Sequence, residues 1–244
     1  MNYKLTLCYD GSRYKGWQKQ KNTDNTIQGK VETVLSRILD QPIEVSGCGR
    51  TDAGVHAKMQ VCSFKASAEM TCSEILGALR KYLPEDIGAV SLEEVDGRFH
   101  ARLSCKEKTY VYRIYNSEEP NVFERKYAYQ YPAKLNIEKM RRAAEHLKGT
   151  HDFAAFSSVK HSKKSTVRTV FDIEICRLND LITVRFTGDG FLYNMVRIIV
   201  GTLIEVGEER REPDGIPAIF SSESRELAGF TAPAVGLFLW NIKY

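Results

Sequence analysis

Twice along its length this chain runs through the same order of hydrophobic periodicities, and that order restricts the fold more than any single motif does. Tyr3, Leu5, Leu7 and Tyr9 recur with period two, as in a strand. Ile27, Val31, Val34, Leu35, Ile38 and Leu39 then recur at helical spacing, with Asn25 and Gln28 three apart in the pattern of a capping box. Strands are predicted over 42–46 and 59–66. A helix follows Thr71, with Glu74 three residues on, and carries Ile75, Leu76, Leu79 and Tyr82 before Pro84 stops it. A strand over 89–95 completes β-α-β-β-α-β. The second half predicts a strand over 109–115, then a helix capped by Asn136 that carries Met140, Ala143, Ala144 and Leu147 and ends at Gly149. Strands over 170–177 and 181–187 face each other across a hairpin at Leu178-Asn179-Asp180. Residues 191–206 are apolar nearly all round, hence a buried helix, and 237–242 is a last strand. Apart from a short strand over 127–131, the order is the same. The economical architecture is α+β, two ferredoxin-like halves (1–104 and 105–244) with sheets side by side and a central cleft fit for an active site. The residues themselves do not repeat. Two independent domains joined near 103–108 is the alternative, although that stretch is not rich in Gly, Pro or Ser.

At 244 residues, 43% hydrophobic and 27% charged, the chain has an ordinary globular composition and can bury a core without staples. Cys8, Cys48, Cys62, Cys72, Cys105 and Cys176 are scattered, with no Cys-x-x-Cys pair and no metal-ligand spacing. That pattern speaks against a metal site and for a reducing compartment. The first ten residues hold no apolar core long enough for a signal peptide. The stretch 191–206 contains Asn194, Arg197 and Glu205, which speaks against a membrane span, so the expected address is cytoplasmic. The net charge of +4 conceals a segregation. Arg13, Lys15, Lys19 and Lys21 form one basic group; Lys160, Lys163, Lys164 and Arg168, with His161 among them, form another. Acid gathers at Glu93, Glu94 and Asp96 and between Glu205 and Glu226. The chain thus reads either as carrying a one-sided surface for a polyanion or as having solvated charged loops.

Residues 49–57 read Gly-Arg-Thr-Asp-Ala-Gly-Val-His-Ala, an acid between two glycines and just after an arginine. Glycines permit a bend that presents Asp52, and the Arg50 fork suits a phosphate. A plain surface turn uses the same residue types for local reasons. Arg197 lies within the apolar 191–206 stretch, where an unpaired cation would be costly, so it needs an acid. Asp52 is one candidate; a structural pair with Asp189 or Glu205 is the other reading. His56 and His100 could serve as bases, while His151, followed by Asp152 and Phe153, fits a helix start or core edge. Tyr14, Trp17 and Phe156, near the basic groups, could stack on bases or simply pack. No Walker loop, dinucleotide fingerprint or nucleophile triad stands out, so no cofactor is expected.

An ordered series of motifs resembles the tRNA pseudouridine synthase A family over essentially the whole chain. It opens with Tyr9-Asp10-Gly11, Gly16-Trp17-Gln18-x-Gln20 and Thr26-Ile27-Gln28-Gly29, followed by the 49–57 loop and Leu83-Pro84-x-Asp86-Ile87. It continues with Phe99-His100-Ala101-Arg102, Lys108-Thr109-Tyr110 and Gly149-Thr150-His151-Asp152-Phe153. Gly190-Phe191-Leu192-Tyr193-Asn194-Met195-Val196-Arg197, Ala232-Pro233 and Gly236-Leu237 close it. The resemblance implies isomerisation of uridine to pseudouridine at positions 38 to 40 of the tRNA anticodon arm, without a cofactor, by a homodimer. It places the catalytic aspartate on Asp52, the stacking tyrosine on Tyr110, the paired arginine on Arg197, a phosphate-binding arginine on Arg50 and a wall of the uracil pocket on Leu237. Lys163 and Lys164 are the basic-loop residues expected to meet RNA. Cys48 and Cys105 stand where small residues such as alanine are common, mild departures that leave the chemistry undisturbed. A catalytically silent RNA-binding module, or the same chemistry on other RNA sites, are the rival readings.

Overall fold

The structure, a computed structural model, describes residues 1–67, 69–158 and 165–244. These fall into two units: 1–106 with 238–244, and 107–237. The fold is α+β, with ten strands and five α-helices among the described residues.

The first unit contains β1 (Asn2–Tyr9), α1 (Ile27–Ile38), β2 (Ser46–Gly47), β3 (His56–Lys65), α2 (Cys72–Tyr82) and β4 (Ile87–Val95), the expected β-α-β-β-α-β order. Antiparallel pairing sets β1 between β3 and β4, with β2 on the far side of β3. Leu5, Leu7, Ile27, Val31, Leu35, Ile75 and Leu79 are fully buried, the alternating and helical apolar positions picked out by spacing. Each such side chain contributes roughly 1.5–3 kcal/mol on leaving water. At α2 the capping box forms: the Glu74 N–H donates to Thr71 Oγ1 at 3.3 Å, and the Thr71 N–H donates to Glu74 Oε2 at 2.8 Å.

Two local expectations fail in this unit, each for a tertiary reason. The cap of α1 is Thr26, whose extended backbone brings its hydroxyl to the Gly29 N–H, and not Asn25 with Gln28. Asn25 instead donates to the Arg13 carbonyl, and Gln28 donates to Glu32 and to the Val45 carbonyl. The strand expected over 42–46 shrinks to two residues because side chains of α1 take its backbone donors. Ser36 Oγ accepts from the Ile43 N–H at 2.9 Å, and Glu32 Oε1 accepts from the Val45 N–H at 3.0 Å.

The second unit holds β5 (Glu107–Tyr115), β6 (Tyr129–Gln130), α3 (Ile137–Glu145), β7 (Gly149–Asp152), β8 (Val167–Leu178), β9 (Leu181–Gly188), α4 (Met195–Gly207) and α5 (Ile216–Ser222). Its sheet runs β5-β9-β8-β7, with β6 parallel to β5. The hairpin between β8 and β9 turns on Asn179 and Asp180 alone, since Leu178 pairs with Leu181; Asn179 accepts the left-handed φ of 53°. Asn136 caps α3 as expected, accepting from the Lys139 N–H at 3.2 Å. That helix ends at Glu145, short of Gly149, whose φ of +99° lets the chain enter β7. The apolar helix α4 begins at Met195, four residues later than spacing suggested, because Asn194 stands at φ 61°. Eleven of its thirteen residues are buried, so it is a core helix. The last strand, β10 (Leu237–Lys243), returns to the first unit and pairs in parallel with β3, Phe238 opposite His56 and Leu239 opposite Ala57. No helix of the described residues is long and apolar enough to cross a membrane.

Candidate active-site segments

In the first unit, Asp52 lies in the loop between β2 and β3. The Val55 N–H donates to the Asp52 carbonyl at 3.1 Å, closing a turn in which Gly54 has φ +78°. The segment around residues 9–18 packs directly against this loop. A Cβ at Gly16 would stand 2.6 Å from the Thr51 carbonyl oxygen, and one at Gly11 would stand 1.9 Å from that of Val55. Gly16 also has φ +94°, so both the close approach and the backbone conformation require glycine there. The Trp17 N–H donates to the Thr51 carbonyl at 3.0 Å, and the Gly54 N–H donates to that of Tyr14 at 3.3 Å.

Beneath the loop, the Tyr9 hydroxyl meets Thr51 Oγ1 at 2.8 Å, and Gln60 Nε2 donates to the Gly49 carbonyl at 3.0 Å. Burial drives the Tyr9 phenol upward against the opposing pull of its bonds to Thr51 and Gln60, so it stays protonated. Thr51 is buried, Asp52 half-buried and Arg50 exposed. The arrangement is a carboxylate on a backbone held from several sides, two residues beyond a guanidinium open to solvent.

His56, His100 and His151 have structural partners. His56 is buried against the Phe238 ring, and its Nδ1 accepts from the Gly11 N–H at 3.1 Å with Asp10 Oδ1 at 3.2 Å. His100 Nδ1 accepts from the backbone N–H groups of Arg102 and Leu103. His151 stacks on Phe220, with Nε2 at 2.7 Å from the Lys148 carbonyl. Trp17 and Phe156 are packed in the core, and Tyr14 is buried with its hydroxyl on Asp86.

In the second unit Tyr110 sits on β5 opposite Phe186, buried, with the Phe191 ring edge-on at a centroid distance of 5.2 Å. Phe191 finds room over Gly188, where a Cβ would stand 3.2 Å from its Cζ. Arg197, in the first turn of α4, donates from Nε to the Ala232 carbonyl at 2.7 Å and from Nη1 to Asn194 Oδ1 at 2.9 Å. The Ala232 N–H returns to the Arg197 carbonyl at 3.0 Å. Of the two acids considered as its structural partners, Asp189 accepts from the Thr169 N–H, and Glu205 pairs with Arg211 at 3.0 Å. Burial pushes the Tyr112 phenol well above its ordinary value, with the Arg197 charge pulling the other way, and its hydroxyl donates to the Pro233 carbonyl at 2.7 Å. Leu237, buried, follows Gly236, which packs on the Tyr112 ring. Lys163 and Lys164 lie outside the described residues.

Each unit thus gathers its own candidates: Arg50 and Asp52 in the first, Tyr110, Arg197 and Leu237 in the second. Sequence reasoning missed the residues that hold them. Tyr9 and Gln60 under the Asp52 loop, and Asn194 and Ala232 around Arg197, carry no catalytic signature. Their only signal was membership in the ordered motifs, which include Tyr9, Asn194 and Ala232 but not Gln60.

A family model described as tRNA pseudouridine synthase matches residues 7–104 and 143–244, spans that include Arg50, Asp52, Arg197 and Leu237 and leave Tyr110 between them. The chain is 48% identical over 243 residues to a tRNA pseudouridine synthase A 2 of Bacillus cereus, covering 100% of this chain and 99% of that protein. With the same coverage it is 49% identical to the tRNA pseudouridine synthase A of a Bacillus species and 48% identical to the tRNA pseudouridine synthase A 1 of Clostridium tetani.

Proposed function

The chain belongs to the tRNA pseudouridine synthase family, and from that membership we propose that Asp52 is the carboxylate that converts uridine to pseudouridine at positions 38 to 40 of the tRNA anticodon stem-loop. The enzyme is an isomerase. Its reaction breaks the C1′–N1 bond, turns the uracil and joins C1′ to C5, with no change of oxidation state and no external energy. Such chemistry calls for a carboxylate beside the ribose, as nucleophile or as base, and for a target base taken out of its stack at a cost of a few kcal/mol. In this reading Asp52 is that carboxylate and Arg197 the cation that orients it and keeps it ionised. The Tyr110 ring offers the extruded uracil a stacking face, Arg50 meets a backbone phosphate, Leu237 adds an apolar wall, and Lys163 and Lys164 bind the RNA backbone.

The observation that carries the proposal is the Asp52 loop itself. A half-buried carboxylate stands on a segment whose neighbours Gly49, Thr51, Gly54 and Val55 are each tied to other backbone or side-chain groups. A plain surface turn needs no such support, whereas a reacting group does. Release of tritium from C5-labelled uridine in tRNA tests it. Asp52→Asn is expected to abolish release while tRNA affinity stays within a few-fold of the parent. Continued release from that variant removes Asp52 from the chemistry. We further propose a homodimer as the working unit, for which light scattering should give twice the 27.7 kDa chain mass.

A further inference from the structure

We infer that Tyr9 and Gln60 are positioning residues for the uridine chemistry, fixing the backbone on both sides of Arg50 so that Asp52 is presented in one orientation. The inference rests on the reading of Asp52 as the catalytic carboxylate. Three bonds converge on Gly49 and Thr51, the two residues that flank Arg50. Gln60 Nε2 holds the Gly49 carbonyl at 3.0 Å, the Tyr9 hydroxyl holds Thr51 Oγ1 at 2.8 Å, and the Trp17 N–H holds the Thr51 carbonyl at 3.0 Å. The last of these sets the peptide plane that joins Thr51 to Asp52. The second stops Thr51 from turning about its own Cα. With both polar ends of Thr51 tied and the Asp52 carbonyl accepting from the Val55 N–H, the backbone that carries Asp52 has few ways to turn.

The polarity of the network is consistent from end to end. Gln60 Oε1 accepts from the Val61 N–H at 3.2 Å, which leaves the amide NH2 to face Gly49 and the Tyr9 oxygen, 3.5 Å away. The Tyr9 oxygen thus accepts from Gln60, an arrangement that leaves its proton available to Thr51 Oγ1. Tyr9, Gln60 and Thr51 are all buried, so water cannot stand in for a missing partner, and removing the phenol hydroxyl leaves the Thr51 hydroxyl unsatisfied. The loop then has to shift to find another partner, and it carries Asp52 with it.

Steady-state isomerisation of tRNA by the full chain provides the test, using Tyr9→Phe, Thr51→Val, their double variant, Thr51→Ser and Asp52→Asn. Tyr9→Phe keeps the ring packed and is expected to lower kcat about tenfold to a hundredfold, the usual penalty for a displaced reacting group. KM for tRNA should change by less than kcat does, because Arg50 alone among the proposed RNA-binding groups rides on the displaced loop. The double variant should be no slower than the slower single, since it leaves no unpaired hydroxyl. Thr51→Ser should restore most of what Thr51→Val loses. Parental kcat in both Tyr9→Phe and Thr51→Val, or a rise in KM at unchanged kcat, overturns the positioning role. Asp52→Asn separates the two ideas. If it is inactive while Tyr9→Phe and Thr51→Val both run at the parental rate, only the positioning role falls; if it remains active, the reading of Asp52 falls, and the positioning role with it.

Discussion

Tyr131 donates its hydroxyl to Glu208 Oε1 at 2.5 Å, and Arg210 closes on the other carboxylate oxygen. Burial, then the bond to the carboxylate, pushes the Tyr131 phenol up to about 12. Burial works to raise Glu208 as well, but the Tyr131 hydroxyl and the Arg210 guanidinium outweigh it and hold Glu208 below its ordinary 4.5. The unfolded chain thus binds the Glu208 proton more tightly than the folded one. The stability this group contributes is complete above pH 4.5 and is lost as the pH falls through the lower folded value. Tyr131→Phe should cost about 1 kcal/mol at neutral pH. Its deficit should narrow once acid protonates Glu208, which thermal unfolding at neutral pH and near pH 3 would follow. An equal deficit at both pH values would mean that the carboxylate plays no part. Single residues such as these were the least legible in the sequence. Thr26 and Asn25 are both good caps by type, and only the backbone angles at Thr26 decide between them.

Helices α2 and α4 each contain an interior glycine, and propensity alone makes the same statement about both: alanine would be better by about 1 kcal/mol. Their surroundings give opposite signs. Around Gly77 on α2 nothing lies within 4 Å of an added Cβ, so Gly77→Ala should raise stability by roughly 0.5–1 kcal/mol. A Cβ at Gly201 on α4 would stand 1.8 Å from the Phe230 carbonyl oxygen, so Gly201→Ala should cost about 1–3 kcal/mol. Urea midpoints moving in opposite directions would check the pair, while a gain at both would show that the chain around Phe230 yields. The crossing at Gly201 also bears on the candidate site. The same passing segment supplies Gly229 to Thr202, and Ala232 to Arg197. Element existence was legible throughout the first unit, because each strand and helix there has its own period and its own stop signal. Element ends were not: β2 lost its backbone donors to Ser36 and Glu32, and α4 could not begin before the left-handed Asn194.

For the whole molecule, charge is the property most directly tied to its substrate class. A net +4 is small, but the basic groups around Arg13–Lys21 and Lys160–Arg168 are separate in sequence from the acidic ones. RNA binding by such groups releases counterions, so each lost phosphate contact should lower the slope of log affinity against log salt by about 0.7 to 0.9. Replacing Lys163 and Lys164 by alanine is therefore expected to weaken tRNA binding and flatten its salt dependence, measured by filter binding over a salt series. An unchanged slope would take those two lysines out of the RNA interface.

The residues alone determined the α+β class, the element order of the first unit, the Thr71–Glu74 box, the β8–β9 hairpin and the prominence of Asp52, because periodicity, capping and turn chemistry act between neighbours in sequence. They did not disclose why Gly11 and Gly16 precede that aspartate by some forty residues, or what Tyr9 and Gln60 hold. Those answers depend on which atoms of distant segments meet: the Thr51 and Val55 carbonyls against two glycines, a phenol beneath a threonine, an amide beneath a carbonyl. A hydrophobic pattern says which face is buried; only packing decides which hydrogen bond is made there.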